Sequence, residues 1–503
     1  MPNPLYDHLV APLATRGSTF LTDARGNEIT GESLHRTAMS FAAALSGLGL
    51  QAGDRMAVQV EKTPEALALY CAAIATGIIF LPLNTAYTAA EVEYFVKDAE
   101  ASLLVGDPAR KDLLSQVAQR HGARFETLDA GGEGSLRDRA KAAGIEFVPV
   151  ARSGDDLAAI LYTSGTTGRS KGAMLSHENL LSNARVLVEE WRFDENDVLL
   201  HALPIFHTHG LFVAINVVLL SGGSMIFLPG FKADDVISWL PRATTMMGVP
   251  TFYTRLLDTP AFTRDLTRHM RLFTSGSAPL LAETHQSFEA RTGHRILERY
   301  GMTETNMNTS NPYDGERRAG TVGHALPGID VKITDPETGE AVRQGDPGMI
   351  EVRGPNVFKG YWRMPEKTRE ELRENGFFIT GDIGTIDADG YVTIVGRQKD
   401  LIITGGYNVY PKEIELILDE LPGVLESAVV GVPHPDFGEA VIAVLVARPG
   451  ATIDAAGVIV ALAERLARFK QPKHVAILAD LPRNTMGKVQ KNLLRQEFVS
   501  LFA

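Results

Sequence analysis

The feature that most restricts the fold is an apolar run, Leu157-Ala158-Ala159-Ile160-Leu161, which gives way to Tyr162-Thr163-Ser164-Gly165-Thr166-Thr167-Gly168-Arg169-Ser170-Lys171-Gly172. An unbroken apolar run of this length suits a strand covered on both faces, and such strands belong to α/β sheets. The loop that follows holds five Ser/Thr residues, three glycines, an Arg and a Lys. Glycines let backbone N–H groups approach a polyphosphate, hydroxyls donate to its oxygens, and the two cations offset its charge. A plain solvated turn needs none of this directly after a buried strand. The stretch is not a Walker A loop. Ser170 stands where that motif requires Gly before the lysine, and Gly172 follows the lysine in place of Ser or Thr.

Bulk properties narrow what such a loop can serve. A chain of 503 residues is too long for one core, so two or more domains are expected. The net charge of -12 argues against a nucleic-acid partner or an anionic membrane, which both favour a basic surface. Cys71 is the only cysteine, which excludes an internal disulfide and a multi-thiolate zinc cluster. Its apolar neighbours predict a buried, inert thiol. The N-terminus lacks the basic start and apolar core of a signal peptide, so a cytoplasmic location is expected. Residues 66–83 are nearly long enough to span a membrane, but Gly77 and Pro82 divide them into a buried helix and a buried strand, so no membrane insertion is expected. The same grammar recurs over 211–228, broken at Gly222-Gly223.

The spacing predicts a helix over 33–48, a strand over 55–60, and a helix capped by Ser176 whose positive end lies just behind the phosphate loop. Pro411 opens another helix, with Ile414, Ile417, Leu418 and Leu421 facing inward. Asp387-Ala388-Asp389-Gly390 has a superficial calcium-loop pattern but lacks the downstream ligands, so it reads as a hairpin turn. The pair His207 and His209 has no acidic or thiol company that would make it a metal site. The chain is therefore expected to be α/β, with a large wound N-terminal domain over 1–396 and a small α+β domain over 401–503.

The string YTSGTTGRSKG resembles the phosphate loop of the adenylate-forming enzymes, the superfamily of acyl-CoA synthetases, adenylation domains and luciferases. Five further motifs follow in the superfamily's order: Gly301-Met302-Thr303-Glu304, Thr380-Gly381-Asp382, Gly396-Arg397-Gln398-Lys399, Gly405-Gly406-Tyr407-Asn408 and Gly487-Lys488. The resemblance covers essentially the whole chain. It implies ATP, Mg²⁺ and coenzyme A, and two steps: a carboxylate attacks the α-phosphorus of ATP, then the CoA thiol attacks the acyl-adenylate. By resemblance, ATP is held by Thr163, Ser164, Gly165, Thr166, Thr167, Gly168 and Lys171. Gly276, Ser277, Ala278, Glu298, Arg299, Tyr300 and Gly301 lie around its base, Thr303 at the α-phosphate, Asp382 and Arg397 at the ribose side. The catalytic set is Lys488, Thr163 and Glu304, with Mg²⁺ on Glu304 and Thr163. His207, Arg255, Ser277 and Met302 border the acid, and Gly405, Gly406 and Tyr407 present the thioester loop. The resemblance also implies that 397–400 is a hinge, turning at Lys399, and that the small domain is mobile. Lys488 is the residue that an acetyltransferase and a deacylase would act upon.

The strings FHTHGLF, GVPTFYTRLL and GMTETNMNTSNPYDGER are similar to those of malonyl-CoA synthetases. Arg255, set among apolar neighbours, is expected to be buried and to pair with the second carboxylate of malonate. Acetate would leave it unpaired, whereas methylmalonate differs by one methyl and is harder to exclude. A medium-chain or aryl-CoA ligase would share every nucleotide motif but line its pocket without Arg. An adenylation enzyme that loads a carrier protein differs only in its acceptor, and a nucleotide sensor would be expected to lack Lys488 or Glu304.

Overall fold

The computed structural model describes residues 2–163, 170–336, 338–405, 407–463, 465–484 and 487–502. Two compact units emerge, Met1–Asp330 with Val352–Phe378, and Val331–Glu351 with Ile379–Ala503. Residues 331–351 and 379–396 thus group by packing with the C-terminal portion, whereas the motif order put them with the N-terminal one.

The first unit holds a six-stranded and a nine-stranded sheet. In the six-stranded sheet, the strands Arg124–Thr127, Leu103–Gly106, Arg55–Gln59, Ile79–Pro82 and Leu157–Thr163 run parallel, with Lys171–Ser176 antiparallel at the edge. The helix Pro64–Thr76 is buried from Ala66 onward and stops at Gly77, whose φ of 71° suits a residue without Cβ. The strand Ile79–Pro82 follows, so the long apolar stretch is a helix running into a strand as predicted. Among the described residues no helix is long and apolar enough to cross a membrane. The predicted N-terminal helix is observed as Gly31–Gly47.

One expectation is corrected here. The next element after Leu157–Thr163 is not a helix but the antiparallel strand Lys171–Ser176, with Thr163 opposite Lys171 and Leu157 opposite Ser176. Ser176 does cap the helix His177–Glu190, with Asn179 completing a capping box. That cap lies at the far end of the strand, about 17 Å from the loop at ~3.4 Å per residue. Its dipole therefore does not serve the loop, because such effects fade within a turn.

In the nine-stranded sheet, Thr245–Gly248, Leu272–Ser275 and Leu297–Met302 lie side by side and parallel, so their C-terminal ends converge. Ligands of open α/β sheets bind at such ends. The second unit is built on a five-stranded sheet and carries most of a four-stranded one, in which Phe378–Ile386 and Val392–Arg397 form the hairpin read from Asp387–Gly390. The helix Pro411–Asp419 buries Ile414 and Leu418 against the five-stranded sheet, with Ile417 and Leu421 partly buried on the same core.

Candidate functional site

Two clusters in the first unit and one in the second carry the predicted residues. Around the phosphate loop, Thr163 ends its strand half-buried, directly opposite Lys171. Ser164, Gly165, Thr166, Thr167 and Gly168, with Arg169, lie outside the described residues. Lys171 is buried; its Nζ sits 3.1 Å from both carboxylate oxygens of Glu371 and 4.1 Å from the ring centroid of Tyr361. The Tyr361 hydroxyl lies 2.6 Å from Glu371 Oε2 and 3.0 Å from Oε1 of Glu304. Glu304 is buried in the turn between two strands, and its backbone carbonyl accepts from Phe358 N–H at 2.8 Å. Thr303 and Met302 are half-buried beside it. Neither Tyr361 nor Glu371 belongs to any motif singled out in the sequence.

The second cluster stands at the ends of the three parallel strands. Side chains alternate along Leu297–Met302, so Glu298 and Tyr300 face one way and Arg299 the other. Glu298 Oε1 accepts from Gly320 N–H at 3.2 Å, and the Tyr300 hydroxyl lies 3.9 Å from Met302 Sδ. Arg299 instead runs beneath Gly276, where a Cβ would fall 2.2 Å from its Nη1, so a side chain at 276 would displace the guanidinium. Arg299 is 3% exposed, and its Nε and Nη2 are sealed with no partner among the described residues. Burial lowers its pKa to about 9, so it remains a cation at neutral pH.

Beside Arg299 lies His209, also buried. Burial first, then the Arg299 charge, push its pKa far below the ordinary value, so the imidazole is neutral. Its Nδ1 is 3.3 Å from Ser277 Oγ, and its Nε2 has no partner. Ser277 holds a φ of 70°, a left-handed backbone that a serine adopts at a cost and that is common at functional sites. Ala278 follows it half-buried, and His207, also half-buried, accepts from His209 N–H at its Nδ1. Thr208 donates to Asn306 Oδ1 at 2.8 Å, leaving Asn306 Nδ2 sealed and unpartnered. Polar atoms sealed without partners normally cost stability, and here Arg299 and its neighbour His209 both carry them. The arrangement fits a small anion with further acceptor and donor atoms.

Arg255 is corrected. It lies on the helix Pro250–Leu257, whose Phe252, Tyr253 and Leu256 face the core, and its own side chain is exposed. A solvated guanidinium loses little when left unpaired, so it cannot supply the discrimination expected of a buried one.

In the second unit, Asp382 is buried and its Oδ1 lies 2.6 Å from Arg397 Nε, so these two predicted residues stand together at facing strand positions. Lys399 is exposed in the single turn Gln398–Asp400. Gly405 has a φ of 56° and donates to Phe437 O at 2.8 Å; Gly406 lies outside the described residues. Tyr407 is exposed and stacks on Phe469 at 4.6 Å between centroids. Lys488 is exposed, in a turn closed by its own N–H donating to Asn484 Oδ1 at 2.9 Å.

The model of the AMP-binding enzyme family matches residues 11–362, and that of the AMP-binding enzyme C-terminal domain matches residues 413–488. The chain belongs to the AMP-binding enzymes. Among solved structures of this family, ATP-bound MatB from Rhodopseudomonas palustris is 58% identical over the whole of both chains, with a TM-score of 0.98. Malonate–CoA ligase of Arabidopsis thaliana is 36% identical across 90% of this chain and 79% of its own. The long-chain-fatty-acid–CoA ligase of Bacillus subtilis, 32% identical across 94% of this chain and 90% of its own, belongs to the same set of relatives. A shared AMP-binding architecture therefore accommodates very different acids, and the acid must be read from the cluster around Arg299.

Proposed function

We propose that this AMP-binding enzyme is an acid–thiol ligase that joins malonate to coenzyme A through malonyl-adenylate, with release of AMP and pyrophosphate. The observation that carries the choice of acid is the buried, unpartnered Arg299 beneath Gly276. A monocarboxylic acid would leave that cation unpaired, while the second carboxylate of malonate supplies a charge-assisted partner. Sites of this kind reject the analogue lacking the polar group by about four to five orders of magnitude. Similarity to the Arabidopsis malonate–CoA ligase supports the same choice.

In the first step one carboxylate oxygen of malonate attacks the α-phosphorus, and the bond to pyrophosphate breaks. Lys171 and the loop 162–172 balance charge on the phosphate side, and Lys488 stabilises the carboxylate and α-phosphate. Among the described residues no group of three or more metal-binding side chains exists. Glu304, held by Tyr361, with Thr163, would instead hold a magnesium ion brought in on the phosphates. When bound, that ion neutralises phosphate charge.

Asp382 takes the ribose hydroxyls, with Arg397 steadying its carboxylate. The second step follows a turn of the 401–503 domain about Lys399, which withdraws Lys488 and presents Gly405, Gly406 and Tyr407. The thiol sulfur then attacks the acyl carbon, AMP leaves with the bridging oxygen, and the thiol proton passes to solvent. Lys488, being exposed, is open to acylation by an acetyltransferase of the cytoplasm and to restoration by a deacylase.

A pyrophosphate-release assay with ATP, CoA and a panel of acetate, malonate, methylmalonate, succinate and octanoate tests the reading. Malonate should lead, with methylmalonate within about two hundredfold, since one methyl is worth ~1–3 kcal/mol. Acetate or octanoate matching malonate would overturn it.

A further inference from the structure

The contacts of Glu371 carry a second conclusion, which rests on the adenylation reading but not on which acid is used. Glu371 ends the short helix Pro365–Glu371 and meets three groups at once. Lys171 Nζ lies 3.1 Å from both of its oxygens, Lys367 Nζ is 2.9 Å from Oε1, and the Tyr361 hydroxyl is 2.6 Å from Oε2. Through Tyr361 it also reaches Glu304, 3.0 Å from the same hydroxyl.

The segment bearing Tyr361 is fixed on both sides. Its backbone pairs with the strand Lys171–Ser176, with Met174 N–H donating to Gly360 O at 3.0 Å and Trp362 N–H to Gly172 O at 2.7 Å. Phe358 N–H holds the Glu304 carbonyl from the other side at 2.8 Å. One carboxylate thus ties the cation that follows the phosphate loop to the carboxylate of the Gly301–Glu304 motif. Lys367 makes the arrangement reversible in charge: when Lys171 turns to a phosphate, Glu371 keeps a cationic partner and the Tyr361 hydroxyl.

We propose that Glu371 is a positioning residue for adenylation. It holds the Lys171 ammonium against the Tyr361 ring, at a set distance from Glu304, so that both are in place when the triphosphate arrives. The ammonium needs this restraint because a lysine side chain is long and flexible, and ordering it at the moment of binding would cost rotamer entropy.

The test is a double-mutant cycle on the full chain. Glu371→Gln keeps the shape but removes the charge, and Lys171→Met removes the group on which Glu371 acts. Acid-dependent exchange of labelled pyrophosphate into ATP, run with whichever acid the wild-type protein activates, reads the first step. Thioester formation from synthetic acyl-adenylate and CoA reads the second in the same preparations, and shows that each variant is folded. Glu371→Gln should lower exchange kcat/KM for ATP about ten- to a hundredfold, the range for loss of a bond to a charged group. Thioester formation should stay within about twofold, and the double variant should fall no further than Lys171→Met alone, within about twofold, as coupled residues do. Glu371→Asp should recover part of the loss. Additive losses in the double variant would overturn the proposal, as would equal loss in both steps. A wild-type protein that exchanges with another acid but not malonate would refute the malonate reading and leave this test intact.

Discussion

Replacing Arg299 by methionine separates a ligand-binding arginine from a structural one, because the two roles move stability in opposite directions. Arg299 is 3% exposed, with two nitrogens sealed and unpartnered among the described residues. An uncompensated buried charge costs about 3–5 kcal/mol, whereas an apolar residue of similar volume is neutral or better. Arg299→Met should therefore stabilise the ligand-free protein by roughly 2–4 kcal/mol, discounting for lost packing. With about 1–2 °C per kcal/mol in a unit this large, Tm should rise by ~2–8 °C. The same change should cut kcat/KM for malonate by about three to five orders of magnitude. KM for ATP should stay within about threefold, since Arg299 faces away from Glu298 and Tyr300. Scanning fluorimetry and pyrophosphate release give both readouts on one preparation. Malonate at a hundred times its Kd should add about 2.7 kcal/mol to the wild type and nothing to the variant. A destabilised variant with unaltered malonate kinetics would refute the reasoning and make Arg299 a packing residue.

Three other outcomes follow from the same structure. Lys488→Ala should lower adenylation by about two to three orders of magnitude, the usual loss for one transition-state donor, while synthetic malonyl-adenylate still reacts with CoA; equal loss in both steps would remove its assigned role. Arg255→Leu should change malonate KM by less than about fivefold, because exposed pairs are worth only ~0–1 kcal/mol; a loss as large as that of Arg299→Met would return the distal carboxylate to Arg255. His177 is buried with its Nδ1 unpartnered, and burial takes its pKa from 6.5 down to about 4. The unfolded chain binds this proton more readily, so the stability it contributes is complete above pH 6.5 and is lost as pH falls toward 4. Unfolding in urea should show about 2 kcal/mol less stability at pH 5 than at pH 7 from this residue, and His177→Gln should remove that share; an unchanged slope would discount it.

The family was legible because its motifs are short strings whose chemistry does not depend on distant packing. Glu304, Asp382, Arg397 and Lys488 could be named as candidates from local sequence in that way, and the structure sets Asp382 beside Arg397 and buries Glu304. The helix over 31–47 and the Gly77 break were legible too, since spacing and a left-handed glycine are local matters. Arg255 misled because apolar neighbours reveal the helix but not its inner arc: Phe252, Tyr253 and Leu256 define that arc, and Arg255 falls beside it. The strand Lys171–Ser176 was hidden inside what reads as the tail of a loop, and with it the true distance to the Ser176 cap. Arg299 carried a usable signal, a cation alternating with Glu298 and Tyr300 in a buried strand, but its motif assigned it to ATP. Glu371 carried none, since its partner Lys171 is 200 residues away in the chain.

The central claim, that malonate is activated as an adenylate, is tested most directly by the fate of its oxygens. Malonate labelled with ¹⁸O in both carboxylates, turned over with ATP and CoA, should deliver one label to the phosphate of AMP and none to pyrophosphate, as read by mass spectrometry. Label in orthophosphate with formation of ADP would contradict the account.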